Sequence, residues 1–135
     1  MSVDAEELRR VRFLAPLKDR ALKRLAGSMT ERRAPAGEDL VTQGADAIAF
    51  FVILEGNVSV AVKEREVDVL GPGDHFGEIA LIDEGTRTAT VTAASDLVCF
   101  GVTFWDFRPL VEHNGVIGWK LLQSLAKIYR EARQH

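Results

Sequence analysis

Arg87 is the only lysine or arginine between Arg65 and Arg108, in a segment that also holds Glu66, Asp68, Asp74, Glu78, Asp83, Glu84, Asp96 and Asp106. A guanidinium isolated in this way can fork two donors onto an anionic group. Nine residues upstream stands Glu78, an acceptor when ionised, and before it Gly77, small enough to let a ligand approach the backbone. Between them the chain runs through four apolar residues, too few for an independent helix, and turns at Gly85, which describes a loop pinned between strands. The same residues admit a plainer reading, in which Arg87 neutralises Asp83, Glu84 or Glu78 and holds nothing. The residues alone leave both readings open.

The run Phe76-Gly77-Glu78-Ile79-Ala80-Leu81, followed by Arg87-Thr88-Ala89-Thr90-Val91, resembles the phosphate-binding cassette of the cyclic nucleotide-binding domain family. That cassette reads Phe-Gly-Glu-(Leu/Ile)-Ala-Leu, a short loop, then Arg-x-Ala-x-Val, with the same step from glutamate to arginine. The resemblance extends from about Leu8 to Tyr129, and Thr86 is a departure, standing where many members carry proline. It implies a ligand, cAMP or cGMP, held by Phe76, Gly77, Glu78, Ile79, Ala80, Arg87, Thr88 and Ala89. A cyclic nucleotide offers one phosphodiester charge, a free ribose 2′-hydroxyl and a flat base. Arg87 would take the phosphate, assisted by backbone N–H groups near Gly77, and Glu78 would accept from the 2′-hydroxyl. Valines of the Val58–Val62 strand would line the base. A threonine at position 88 is linked in the family with tolerance of cGMP, which makes both nucleotides expected ligands.

Catalysis finds little support. His75, His113 and His135 lie in three separate contexts without ligand spacing, and no metal is expected. Cys99 has no histidine or acid near it in sequence, and neither a Gly-x-Ser-x-Gly nor a P-loop pattern occurs. The expected role is that of a regulatory sensor rather than an enzyme. It would transmit nucleotide occupancy through its C-terminal helix to a protein effector. The alternatives are an interaction scaffold that binds no nucleotide, or a fragment of a larger regulated protein.

The elements that must position the cassette follow from periodicity. Asp4, Glu6 and Glu7 before Arg9 and Arg10 mark a short helix, and Leu17, Ala21, Leu22 and Leu25 form one face of a second from about Lys18 to Met29. From Glu31 onward, short apolar runs alternate with glycine turns. Residues 50–54 form an unbroken apolar strand expected to be central; Val58, Val60 and Val62 alternate with smaller or polar residues, and Val67, Val69 and Leu70 return the hairpin. The fold class is mainly β with flanking α, an eight-stranded double-sheet jelly roll with N-terminal helices and two C-terminal helices. The last of these runs from an Asn114 cap to about Arg133, with Ile117, Leu121, Leu125, Ile128 and Ala132 as its stripe and Leu122 and Tyr129 beside it.

Composition fits that picture. A chain of 135 residues with 47% hydrophobic content matches one domain: a helical cover over 4–29, a β roll over 31–102 and C-terminal helices over 104–133. The formal net charge of −3 hides an asymmetry, since residues 1–33 hold nine Lys and Arg against five Asp and Glu, while residues 34–106 hold three against thirteen. The bland account of the basic flank is a solvated helical face. A single cysteine in an apolar strand makes no disulfide framework, and no run approaches the ~20 apolar residues of a membrane span. A cytoplasmic protein is expected, without a signal peptide or a DNA-binding module. It should be a monomer or a weak homodimer through the C-terminal helix.

Overall fold

Asp4 opens the first helix, α1 (Ala5–Arg9), by accepting from the Glu7 backbone N–H at 2.9 Å, and Glu6 and Glu7 complement its dipole. The computed structural model describes residues 3–12, 14–42, 44, 49–77 and 89–133. Helix α2 (Asp19–Gly27) turns Ala21, Leu22 and Leu25 inward, as its spacing requires. It is shorter at both ends than Lys18–Met29, because Lys18 is extended at the cap and the Ser28 N–H already bonds back to Leu25 and Ala26.

Eight strands follow among the described residues: β1 (Thr30–Ala34), β2 (Asp39–Val41), β3 (Ala49–Glu55), β4 (Val58–Val62), β5 (Arg65–Leu70), β6 (His75–Phe76), β7 (Thr90–Ala93) and β8 (Leu97–Thr103). They pair antiparallel into two sheets, ordered β1-β8-β3-β6 and β2-β7-β4-β5. This is the expected double-sheet jelly roll, with helices before and after it.

Strands β3 and β8 of the first sheet are buried on both faces. Phe50, Val52, Val98, Phe100 and Val102 pack under the helices, while Phe51, Ile53, Leu97 and Cys99 face the second sheet. Double burial explains why β3 reads as an unbroken apolar run, and β3 is central, between β8 and β6. The second sheet contributes one face only, through Leu40, Val58, Val91 and Ala93. Its edge strand β5 returns the hairpin as expected, with Val67 and Val69 56% and 54% exposed. The β4–β5 turn is made by Lys63 and Glu64, with φ of 52° and 67°. Both residues are left-handed, the geometry that two-residue hairpin loops usually assign to Asn-Gly.

After β8 come α3 (Phe104–Glu112) and α4 (Gly115–Ala132). Asn114 occupies the α4 N-cap position but makes no side-chain cap. Its amide instead donates to the Leu110 carbonyl at 2.9 Å, tying α3 to α4. On α4, Leu121 and Ser124 are buried and Ile117, Leu125 and Ile128 half-buried. The Ser124 hydroxyl donates to the Arg12 carbonyl at 3.4 Å, and Arg12 pairs with Glu131 at 2.5 Å. Two bonds to one residue thus fasten α4 to the N-terminal cover.

Candidate functional site

Of the cassette residues singled out from sequence, Glu78, Ile79, Ala80, Arg87 and Thr88 lie outside the described residues. Phe76, Gly77 and Ala89, which bracket them, are described, and they define where the segment leaves and re-enters the roll.

Phe76 ends β6, a strand of two residues that pairs with β3 through Phe51↔Phe76 and Val52↔His75. Its ring is buried and stacks on Phe51, with centroids 5.3 Å apart and planes inclined by 28°. The Arg32 guanidinium lies 5.7 Å from the Phe51 ring centroid and donates to the Leu40 carbonyl at 3.3 Å. Gly101 makes room for this stack: a Cβ there would sit 2.6 Å from the Phe51 ring. Sequence reading missed Phe51, Arg32 and Gly101 as supports of the site. Gly101 was the available signal, because a glycine inside an apolar strand marks a close approach.

Gly77 follows with φ of +94°, a conformation that L side chains rarely adopt, and there the chain turns out of the first sheet. It re-enters at Ala89, half-buried, and continues into β7, where Val91 and Ala93 face the core between the sheets. Strand β7 lies between β2 and β4, inside the second sheet. The cassette therefore starts from the edge of one sheet and ends in the middle of the other. On the same inner face, Val58 is fully buried and Val60, opposite Val91, packs at the core margin. Of the valines expected beside a base, Val58 belongs to the core and Val60 to its rim.

The chain's single thiol, Cys99, shares the core between the sheets with Phe76. Burial pushes Cys99 up to about 11, the nearby Arg32 charge opposing, and its S–H donates to the Arg32 carbonyl at 3.6 Å. Such a thiol is inert. Among the described residues no group of three His, Cys, Asp or Glu side chains could hold a metal ion. Nor is any described helix long and apolar enough to cross a membrane.

Known proteins resemble this chain over most of its length. The N-terminal domain of a transcriptional regulator from Streptomyces coelicolor A3(2) superposes with a TM-score of 0.84 at 28% identity, covering 95% of each chain. The cyclic AMP receptor protein of Thermus thermophilus is 32% identical over 114 residues, which are 80% of this chain and 53% of that protein. The cGMP-dependent protein kinase, isozyme 1, of Drosophila melanogaster is 38% identical over 112 residues, 77% of this chain and 15% of the kinase. The chain thus spans about half or less of these two relatives. The family model for the cyclic nucleotide-binding domain matches residues 31–114.

Proposed function

Because the chain belongs to the cyclic nucleotide-binding domain family, we propose that it binds cAMP or cGMP in the segment between β6 and β7 and acts as a non-catalytic regulatory sensor. The observation that supports this reading is where the two described ends of the cassette lie, Gly77 with its left-handed backbone at the edge of the first sheet and Ala89 just before β7 inside the second. A segment that begins and ends there and holds both Glu78 and the isolated cation Arg87 carries the two groups that a small anion with a hydroxyl needs.

In this reading Arg87 forks onto the phosphate, Glu78 accepts from the 2′-hydroxyl, and the peptide groups from Phe76 to Ala80 supply further contacts. Thr88 and Ala89 complete the wall beside the ligand. The names of the two relatives, one a cyclic AMP receptor and one cGMP-dependent, support binding of either nucleotide. Occupancy reaches a protein effector through α4. That helix also offers Trp119, Leu122 and Tyr129, at least 60% exposed, as a surface for weak self-association.

Calorimetric titration of the purified chain with cAMP and with cGMP tests the proposal. Saturable heat with either nucleotide supports it. No heat with both, in a folded protein, makes the chain an interaction scaffold.

A further inference from the structure

We propose that the groove between α2 and the first two turns of α4 is a docking site for an acidic amphipathic segment of a partner protein. Leu17, Ala21 and Ile117 form its apolar floor, and Lys18, Arg20, Arg24 and Lys120 stand around it. No carboxylate lines the groove. Asp19, the acid nearest in sequence, is engaged by Arg9, and none of the four cations makes an ion pair among the described residues. Four positive charges around apolar carbon, with only Arg24 sharing its neighbouring cavity with a carboxylate, that of Asp106, create a field that draws in and orients an anionic partner.

Size selects the occupant. The cavity volume is about 140 Å³, well short of the roughly 300–1,000 Å³ that encloses a small organic ligand, and too little for an acyl chain. It suits one or two aliphatic side chains. An apolar floor is also of no use to a sugar-phosphate backbone. A helical or turn segment carrying leucines on one face and aspartates or glutamates beside them satisfies both floor and rim, in the manner of a helix laid into a groove. Val116, 68% exposed at the lip, extends the apolar contact. The groove contains no cassette residue, so the proposal stands apart from nucleotide binding. Its position against α4 nonetheless places a docked partner on the helix proposed to report occupancy.

The test is a titration of the isotope-labelled full chain with a synthetic amphipathic peptide that has leucines at i and i+4 and acidic residues flanking them. The expected result is saturable movement of the amide resonances of Ala21, Arg24, Ile117 and Lys120, weakened by added salt. An Arg20→Glu/Lys120→Glu variant, whose spectrum away from the groove should be unchanged because both side chains are peripheral, is expected to bind at least about tenfold more weakly. Glutamine and asparagine in place of the peptide's acids should abolish binding. The proposal is overturned by no saturable shift, by shifts confined to another surface, by equal affinity for the amide peptide, or by indifference to the double charge reversal. Binding of phosphatidylserine vesicles through these cations, without peptide binding, would overturn it in favour of a lipid surface.

Discussion

Arg87→Ala removes the one cation between Arg65 and Arg108 and, in the proposed site, leaves the ligand's phosphate without its partner. Truncating one member of a buried charge pair costs about 2–5 kcal/mol, so the dissociation constant should rise at least about thirtyfold. Calorimetry on the folded variant decides it: unchanged affinity refutes the role. Glu78→Gln should act differently, because a hydrogen bond to a charged group is worth about 1.5–3 kcal/mol. The wild type should bind a 2′-deoxy cyclic nucleotide more weakly than its parent, whereas the variant should barely distinguish the two; equal discrimination in both proteins removes Glu78 from the 2′-hydroxyl. The buried Cys99 thiol makes a third residue-scale expectation. Its folded pKa, about 11, exceeds the ordinary 9.0, so the proton it keeps stabilises the fold fully below pH 9. That stability drains between pH 9 and 11, at about 1.4 kcal/mol per unit. Denaturant melts across that window should show the loss in wild type and not in Cys99→Val. The motif Phe76 to Val91 was legible because it is local in sequence. Its support was not, for the meeting of Phe51, Phe76 and Gly101 joins three distant strands.

Among the elements, α4 carries the most consequence. If it reports occupancy, nucleotide must bind better to one of its positions than to the other. Hydrogen exchange over residues 115–133 is expected to slow with cAMP, and deletion from Leu125 onward should speed ligand release more than it slows association. Identical protection with and without nucleotide would make α4 a seal. The ties to Arg12 sharpen this expectation. The hydrogen bond from Arg12 holds the Glu131 carboxyl below its usual range, so this tether is intact above the ordinary carboxylate pKa and is lost as pH falls through the lowered one. The apolar stripe of α4 was readable at helical spacing, and Leu121 indeed sits in the core. Ser124 was not, because a serine on that stripe is buried only by virtue of a carbonyl more than a hundred residues away. Asn114 holds the expected N-cap position, but its side chain makes no cap because its amide donates to the Leu110 carbonyl instead.

At the scale of the whole molecule, charge and apolar surface are unevenly shared. Trp119, Leu122 and Tyr129 lie on the side of α4 turned away from the core, exposed by 63%, 60% and 62%. A second copy of α4 is the proposed cover, and sedimentation should show a concentration-dependent dimer that Trp119→Glu abolishes without unfolding the chain. A wild type that stays monomeric at high concentration defeats the expectation. The two-sheet architecture was legible from short runs and glycine turns, whereas the strand order was not, since pairing of β1 with β8 spans nearly seventy residues and leaves no local mark. That pairing also governs how the protein can be made. β8 is inserted between β1 and β3, and these two do not touch until it arrives. On the ribosome, the first sheet cannot close before Thr103 has emerged, and until then the edge of β3 that β8 will occupy is without its partner strand. A ribosome-stalling series is therefore expected to gain protease resistance late, once β8 and then α3, whose Phe107 ring meets Phe50, are free of the ribosome; full resistance before β8 has emerged would overturn it.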